Sequence, residues 1–525
     1  MTSDQEYNGP GRTLAHAGRH IEGAPPAEAS LDLKLVWSSL TDLGNSERLR
    51  ARSGDEMVHT LEHGWRVYDG VRWNGKDGNG QAQICAHRAA VAIKREVAVA
   101  NEAGAISREG QQALERHARQ SQNSGRLKAM LDLSEAYQRR QIEEFDAAPH
   151  LLNTPAGTLE LGATGSPCDI VSLRSHDRAD LITRCTAANY DPDADATLFG
   201  AFITRILPNN EVRLFVQRYF GYAATGDSGE QIMALFYGRG ANGKSVLLNI
   251  IRGVLGDYCV TLPFSSLTGE GNRGGGDATP DLARLPGARF VTASEPKAGT
   301  RLDEGMIKAL TGGEPMMVRA MYHNPFEFVP THKIVLSFNN KPKVHAQDEG
   351  TWRRMAMVPF EVTIPLDERD PMLADRILEA EAPGVLNWIL DGVRMYRERG
   401  LDLPVAVCEA TQAYRGESDP VGPFIDAALE RADGCTVLAS VLFLAYTIWA
   451  KRNGLEPITR NRFGLIMTEK GYQKEKAGVY SYVDVRLIDE YQEFVDQEAG
   501  MSARADPVPP GVEAGDPLEQ EEPPI

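Results

Sequence analysis

The chain has 525 residues, with 56 Lys and Arg against 73 Asp and Glu, which gives a formal net charge of −17. A hydrophobic fraction of 42% and a charged fraction of 25% are ordinary for a soluble globular protein, and the length indicates about three domains. These values exclude wholesale disorder and a broadly basic protein that coats nucleic acid, but they leave room for a local nucleic-acid site.

The cysteines and the apolar segments narrow the class further. None of the six cysteines lies in a CxxC pair, so the sequence indicates neither a zinc ribbon nor a disulfide scaffold. The N-terminus lacks the basic and then apolar pattern of a signal peptide, and the most apolar stretch, residues 437–450, is shorter than the ~20 residues that span a bilayer. We therefore expect a cytoplasmic protein without a membrane partner, and a buried helix at 437–450.

The N-terminal part predicts a tail followed by mainly helical structure. Residues 1–30 have no hydrophobic period and are typical of a mobile tail. Apolar residues alternate with polar ones on both sides of Asp69-Gly70, which predicts a hairpin with a tight turn. Residues 82–145 predict two or three helices, residues 146–200 predict turns and short strands, and residues 211–222 predict another helix.

The character of the chain changes near residue 231. Apolar runs typical of strands alternate with helical stretches up to about residue 338, which predicts an α/β domain with a mainly parallel sheet. The chain is then helical from about residue 372. Residues 436–487 have the order helix, helix and short strands, which is typical of a winged helix, and the tail after Gly500 is rich in Pro and Glu.

The strongest motif is a phosphate-binding loop of the form GxxxxGK[ST]. An apolar strand precedes it and a helix follows it, as phosphate binding requires, because glycines let successive backbone N–H groups face the phosphates at the start of the helix. In this pattern the lysine reaches the β- and γ-phosphates of a nucleotide and the serine coordinates Mg²⁺. The predicted nucleotide-binding residues are Gly238, Arg239, Gly240, Ala241, Asn242, Gly243, Lys244 and Ser245.

Three later segments offer partners for this loop. Residues 289–295 form an apolar strand that ends in Glu295, an acid that could hold Mg²⁺ or activate water. A second strand ends in Asn339, whose amide could bind the γ-phosphate or could merely begin a turn. Arg353 and Arg354 could stabilise transition-state charge, or they could form a surface salt-bridge pair.

The order of five segments makes a family resemblance specific. The segments GRGANGKS, ARFVTASEP, IKALTGGEP, IVLSFNNKP and GTWRRMAMVPF together resemble the superfamily 3 helicase domain of the phage/plasmid primase and poxvirus primase–helicase family. Upstream segments such as WRVYDGVRW and FVQRYFGYAATG resemble the N-terminal helicase-associated region of that family. The resemblance covers about residues 40–375.

The resemblance implies a fold and a division of the chain. We expect an α/β P-loop core of the AAA+ type with an N-terminal mainly helical domain and a C-terminal helical and winged-helix region. The implied parts are a disordered tail (1–30), a helicase-associated domain (31–205), the ATPase domain (206–375), the C-terminal region (376–500) and a disordered acidic tail (501–525).

The resemblance also implies a role for each motif residue. Lys244 and Ser245 bind ATP and Mg²⁺, Glu295 orients the attacking water and contributes to the metal site, and Asn339 senses the γ-phosphate. Either Arg353 or Arg354 is the finger that reaches the ATP of an adjacent subunit, and Lys308 is expected to contact phosphate across the same boundary. Many members have two adjacent acids where this chain has Ser294 before Glu295, so the division of metal and water roles stays open.

Two segments are candidate DNA contacts. Residues 313–330 predict two short strands around an Asn-Pro turn, and the resemblance places such a hairpin in the central pore of a ring. There Arg319 and His323 could pair with phosphate and Tyr322 could stack on a base, although an ordinary exposed turn with a packed tyrosine is the alternative. The predicted winged helix carries seven basic and three acidic residues at 451–476, and this positive face could bind duplex DNA, dock another subunit or be merely solvated.

We therefore expect an ATP-driven, ring-forming DNA helicase that translocates on single-stranded DNA in phage, prophage or plasmid replication, in the cytoplasm of a bacterial host. The expected partners are single-stranded and forked DNA, further copies in a homo-hexamer, and a separate primase or replication initiator. The alternatives are a bifunctional primase–helicase and an ATP-switched, DNA-binding initiator that does not unwind. The charge agrees with a narrow DNA contact, because residues 487–525 hold eleven acidic residues and one arginine.

Overall fold

The computed structural model describes residues 29–162, 171–268, 278–294, 300–344 and 348–502. The chain divides into two compact units. The larger comprises the residues up to 342 together with 353–410, and the smaller comprises 343–352 together with the residues from 411 onward. No helix in the described ranges is long and apolar enough to cross a membrane. The predicted tail at residues 1–30 lies almost wholly outside the described residues, and so does the acidic tail beyond Ser502.

The N-terminal part of the larger unit combines helices with two small antiparallel sheets. The sheets have the orders β1-β2-β3 and β4-β5-β6. The hairpin predicted around Asp69-Gly70 is confirmed, because Tyr68 pairs with Trp73. The elements are α1 (Leu31–Leu35), α2 (Asp42–Ser53), β1 (Met57–Thr60), β2 (Gly64–Tyr68), β3 (Trp73–Asn74), α3 (Gly78–Glu102), α4 (Arg108–Gln120), α5 (Ser124–Glu135), β4 (Leu151–Thr154), β5 (Gly157–Leu161), β6 (Val171–Arg174), α6 (Thr197–Ile206) and α7 (Asn210–Ala224).

A five-stranded parallel sheet forms the centre of the larger unit, and the predicted parallel α/β domain is thereby confirmed. Its order is β13-β7-β12-β9-β8, and each neighbouring pair is parallel. All six residues of β12 are buried, as expected for a strand covered on both faces. The elements from this part of the chain are β7 (Met233–Tyr237), α8 (Lys244–Leu255), β8 (Cys259–Thr261), β9 (Phe290–Ser294), α9 (Glu304–Gly312), β10 (Met316–Val318), β11 (Phe326–Phe328), β12 (Lys333–Phe338), α10 (Glu349–Trp352), β13 (Met355–Pro359), α11 (Leu373–Arg399) and α12 (Val405–Glu417).

The helices α7, α8 and α11 pack with the sheet into the main hydrophobic core. Their buried apolar residues recur at helical spacing, as in α8, where Leu247, Ile250, Ile251 and Val254 face inward. The strands β10 and β11 lie outside this sheet and form a separate two-stranded sheet, in register Met316 to Phe328. The hairpin predicted within residues 313–330 is thus confirmed.

The smaller unit has its own core around Phe424, Tyr446 and Phe463. A long strand precedes two helices and a hairpin, and the three strands pair in the order β14-β16-β15. The helix expected at 437–450 begins two residues later, because Val437 and Leu438 end the strand β14. The elements are α13 (Gly422–Ala428), β14 (Leu429–Leu438), α14 (Ala439–Arg452), α15 (Arg460–Glu469), β15 (Lys474–Ala477), β16 (Val479–Leu487) and α16 (Asp489–Ser502).

Candidate functional site

The glycine-rich loop lies at the carboxyl end of β7, where the chain turns into α8. Gly240 has φ +101° and Gly243 has φ +80°, both in the left-handed region that favours glycine. A Cβ at Gly243 would lie 2.6 Å from Cγ2 of Ile206, so a side chain at this position would also clash. The local geometry therefore needs the glycines of the motif, and the loop ends at the N-terminus of α8, where backbone N–H groups are available to an anion.

Lys244 is the first residue of α8 and is 4% exposed. Its Nζ donates to the carbonyl oxygen of Gly238 at 2.8 Å, to Oδ1 of Asn242 at 2.9 Å and to Oδ1 of Asn339 at 3.1 Å. All three acceptors are neutral, and burial lowers the pKa of Lys244 to about 8. Since no carboxylate of the described residues pairs with this ammonium group, a phosphate here would supply the negative charge that it lacks.

Asn339 meets Lys244 because β12 and β7 are parallel neighbours. Phe338 and Tyr237, the last residues of these strands, are in register, so Asn339 and Gly238 leave the sheet side by side. The chain passes from β7 through α8 to the far strand β8, while β12 fills the place beside β7, so a topological switch point lies between them. Open α/β sheets bind ligands at this place. The structure thus joins two predicted residues that lie 95 positions apart.

Of the two residues predicted to hold Mg²⁺, the structure describes one. Glu295 lies outside the described residues, whereas β9 ends one residue before it, with Ser294 in register with Ser337. Ser245 is exposed at the start of α8, where a nucleotide-bound Mg²⁺ would need its hydroxyl. No cluster of three His, Cys, Asp or Glu side chains with metal-ligand geometry occurs in the described ranges. The loop and Lys244 fit a triphosphate, and Ser245 is the one described residue of the predicted metal pair.

The predicted arginines lie at the other end of the same sheet. Arg353 and Arg354 precede β13, and the backbone oxygen of Arg354 accepts a hydrogen bond from the N–H of Met233 at the start of β7. Met233 and Tyr237 lie four residue steps apart along an extended strand, which is about 13 Å at ~3.3 Å per step. Within one chain the arginine pair and the glycine-rich loop are therefore at opposite ends of the sheet.

Gln231 connects this arginine end to α9. Its Oε1 accepts from Nη1 of Arg354 at 2.7 Å and from Nη2 of Arg353 at 3.2 Å, while its Nε2 donates to the carbonyl oxygen of Gly312 at 3.0 Å. Gly312 ends α9, and Lys308 lies one turn earlier on that helix. The three residues predicted to act across a subunit boundary thus belong to one region. No motif in the sequence pointed to Gln231, whose φ of +52° is unusual for glutamine.

The hairpin of β10 and β11 has an exposed tip. Tyr322 is 95% exposed and has φ +63°, so the alternative of a packed tyrosine is wrong. Nε of Arg319 donates to the carbonyl oxygen of His323 at 3.1 Å, and the backbone of Arg319 exchanges hydrogen bonds with Thr279 at 2.8 and 3.0 Å. Arg319 thus helps to fix the tip, and Tyr322 and His323 are its exposed aromatic groups.

The basic face of the smaller unit is partly engaged in internal contacts. Nζ of Lys470 lies 2.5 Å from Oδ2 of Asp419, and Cζ of Arg452 lies 3.4 Å from the ring centroid of Phe494. Arg460, at the start of α15, is exposed. Thr459 occupies the N-cap position of α15, but its side chain makes no capping hydrogen bond. DNA binding by this face stays a prediction.

Two family models match the chain. Residues 46–208 match "D5 N terminal like", and residues 236–354, which include the glycine-rich loop, Asn339 and both arginines, match a "Family of unknown function (DUF5906)". The first range lies within the N-terminal part of the larger unit, and the second contains the parallel sheet up to the arginine pair.

Curated viral proteins are similar over the same part of the chain. A protein of Acanthamoeba polyphaga mimivirus with the name "Putative helicase" is 29% identical over 356 residues, which are 63% of this chain and 36% of the relative. A "Putative helicase" of Frog virus 3 is 26% identical over 51% of this chain and 29% of its own length. A "Putative primase" of African swine fever virus is 23% identical over 60% of this chain and 35% of its own length.

Among solved structures, the apo structure of the NrS-1 C-terminal region (305–718) is 11% identical and has a TM-score of 0.39 over 56% of this chain and 78% of that one. A likeness at this score carries no conclusion. The chain spans about a third of the length of the viral relatives that it matches. It has a D5-like N-terminal region and an α/β sheet domain, and it is similar to viral proteins with the names helicase and primase.

Proposed function

We propose that the chain is the subunit of an ATP-dependent, ring-forming DNA helicase of superfamily 3 that acts in DNA replication and translocates on single-stranded DNA. One observation carries the proposal. The same parallel sheet holds a buried lysine and Asn339 beside a glycine-rich loop at one end, and an arginine pair at the other. Two copies placed end to end would complete one nucleotide site, which is the arrangement of ring ATPases that have an arginine finger.

Each residue has a role in this proposal. The glycine-rich loop and Lys244 hold the phosphates of ATP, Ser245 and Glu295 hold Mg²⁺, and Asn339 contacts the γ-phosphate. Because Lys244 already bonds to Asn339, an entering γ-phosphate would take the place between the two side chains. Hydrolysis of the bound ATP with its Mg²⁺ would supply the free energy for translocation. Arg353 or Arg354, with Lys308 on the adjoining helix, completes the site of the neighbouring subunit.

The hairpin of β10 and β11 is the proposed DNA-moving element. It contains the exposed Tyr322 and begins four residues after α9, the helix that bonds to Gln231 and carries Lys308. A change at the subunit boundary would therefore reach the hairpin through α9. In a ring the tips face one strand, where Tyr322 stacks on a base and His323 donates to phosphate. The number of subunits is expected to be six.

Unwinding of a forked duplex tests the proposal. The wild-type protein with ATP and Mg²⁺ should separate a fork that has one tail of suitable polarity, and each polarity is offered separately. Lys244→Ala should abolish ATP hydrolysis and unwinding. Lys128→Ala, the same substitution at an exposed residue of α5, is the matched control and should retain both. A Lys244→Ala protein that still unwinds with ATP would refute the proposal.

The same assay separates the alternatives. An ATP-switched initiator would bind origin DNA in an ATP-dependent way without separating strands, and the basic helix α15 with its hairpin is the feature that favours it. Priming is proposed to come from a separate protein, since the relatives with the name primase are about three times longer than the matched part. A template-directed assay that yields labelled primers from this chain alone would overturn that view.

A further inference from the structure

A second basic site lies beside the hairpin tip, within the larger unit. It is a cavity of about 420 Å³ whose lining includes His63 and Arg66 from the β1–β2 region and His323 from the hairpin tip. An aromatic contact joins the two regions, because His63 meets Phe326 edge-to-face at 5.5 Å between ring centroids. The volume lies in the range of ligand pockets, which is on the order of 300–1,000 Å³.

The cavity has more cations than its carboxylates can neutralise. Asp257 forms ion pairs with Arg72 and with Lys76, the latter at 3.5 Å. Oδ1 of Asp146 accepts from the N–H of Thr183 at 2.8 Å, and its Oδ2 accepts from the hydroxyl of that residue. The five cationic residues of the lining, against these two carboxylates, are Arg66, Arg72, Lys76, Arg184 and Arg284.

Arg184 gives the cavity a fixed positive charge. Its guanidinium donates to the carbonyl oxygens of Asp257, Arg284 and Pro286, so its orientation is determined by the backbone. None of these acceptors is charged, and burial lowers the pKa of Arg184. The charge of Arg184 therefore stays available to an anion in the cavity.

Arg66 is the least satisfied cation of the cavity. Its Nε is buried and has no hydrogen-bond partner among the described residues. Its Cζ lies 5.4 Å from the ring centroid of Phe145. Burial and then Arg184 lower the pKa of Arg66, whereas Asp146 opposes them. A buried guanidinium without a partner costs free energy, and proteins retain such groups where a ligand completes them.

We propose that this cavity binds a backbone phosphate of the DNA strand that the hairpin handles, with Arg66 as the principal donor. A guanidinium can donate two parallel N–H bonds to one phosphate, and Arg184 and Arg284 add positive charge around it. The mouth suits a strand, since the side chain of Lys76 is 81% exposed and Arg284 and His323 are exposed. A strand that stacks on Tyr322 would pass this mouth. The inference rests on the proposed function and adds a second DNA contact outside the hairpin.

Arg66→Met separates binding from folding. The full-length protein is titrated against a labelled single-stranded oligo-dT without ATP, at several KCl concentrations. The variant should bind about tenfold more weakly, and the slope of log affinity against log salt should fall by about 0.7, the value for one lost phosphate contact on a single strand. Its thermal midpoint without DNA should equal or exceed that of the wild type, because an unpaired buried charge has been removed.

Two further variants make the test specific. Gly75→Ala keeps the charge but places a Cβ 2.6 Å from Nη1 of Arg66, so it should also weaken DNA binding. Arg95→Gln removes an arginine of α3 that is 67% exposed and lies outside the cavity, and it should bind DNA like the wild type. Wild-type affinity in Gly75→Ala would overturn the proposed position of the phosphate.

The outcomes separate this inference from the proposed function. A wild-type protein that neither hydrolyses ATP nor unwinds DNA contradicts the proposed function. If the wild type unwinds while Arg66→Met has wild-type affinity and salt slope, only the inference fails. Inorganic phosphate and thymidine monophosphate are tested as separate probes. If they raise the thermal midpoint of the wild type but not of Arg66→Met, while oligo-dT affinity is equal in both, the cavity serves a free nucleotide and the strand assignment is wrong.

Discussion

Lys244 shows how a single residue links the loop to the rest of the site. Its position followed from the motif, and the positive φ values of Gly240 and Gly243 follow from the same glycines. The sequence predicts that Asn339 follows a strand, but it does not predict the hydrogen bond to Lys244. That bond requires β7 to pair with β12, and this pairing depends on the whole sheet. Arg66 had no such signal, since an arginine at an alternating strand position is usually solvated. The cavity around Arg66 is lined by residues far away in sequence, such as Arg184 and His323, so only the folded structure shows it.

The pKa of Lys244 predicts a proton uptake when ATP binds. Burial lowers this pKa from 10.5 to about 8, so the free protein loses the positive charge as the pH rises through about 8. A triphosphate favours the protonated form and raises the pKa again. Binding at pH 8 should therefore take up about half a proton, and affinity should fall above pH 8 by at most about tenfold per pH unit. Calorimetry in two buffers of different ionisation enthalpy measures the uptake.

Lys244→Arg is the control for this prediction, since arginine stays charged throughout this range. If the variant binds ATP, its binding should show no uptake that comes from this position. An ATP affinity of the wild type that is constant from pH 7 to 10 would contradict the lowered pKa.

At the scale of elements, the sequence indicates which segments form strands and helices better than it indicates how they meet. The apolar runs of residues predict the strands β7 and β12, and the spacing of apolar residues predicts the helix α8. The strand β14 was not predicted, because most of its residues are exposed and its register shifts between Arg431 and Thr436. The sequence also does not predict that α7 packs against α11. Gly221 and Gly392 meet there, and only the packed structure shows that these two glycines face each other.

Two glycine-to-alanine substitutions, one where α7 crosses α11 and one in α6, should change stability in opposite directions. A Cβ at Gly221 would lie 2.1 Å from the carbonyl carbon of Gly392. Since this carbon belongs to the backbone of α11, it cannot rotate out of the way as a side chain could. Gly221→Ala should therefore destabilise the larger unit by about 1–3 kcal/mol. Gly200→Ala in α6 adds a Cβ with no atom within 4 Å and should stabilise by up to ~1 kcal/mol through helix propensity. The midpoint of thermal unfolding should be lower than that of the wild type for Gly221→Ala and higher for Gly200→Ala. Equal midpoints for the two would contradict the close crossing.

At the scale of the whole molecule, the proposed function requires each subunit to hold two half-sites. The paired strands set Lys244 and Asn339 at one end of the sheet, and Gln231 gathers Arg353, Arg354 and the end of α9 at the other. The sequence could offer the arginines only as a pair near a strand. That they lie at the opposite end of the sheet from the loop, with the length of β7 (about 13 Å) between them, follows from the parallel register of β7 and β13. An active site that uses both ends needs a second copy of the chain in a head-to-tail contact.

This division predicts that two inactive variants restore each other. Arg353 is exposed, whereas Arg354 is half-buried and its backbone binds the start of β7, so Arg353 is the better candidate for the finger. Arg353→Ala and Lys244→Ala should each abolish ATP hydrolysis when alone. Mixed in equal amounts and reassembled, they should regain about a quarter of the wild-type rate, because about a quarter of random head-to-tail boundaries combine an intact Lys244 with an intact Arg353. Mixing Lys244→Ala with itself at the same total concentration is the control. If the mixture stays inactive although the variants co-assemble, Arg353 does not act across the boundary, and the same mixing with Arg354→Ala then decides whether its neighbour does.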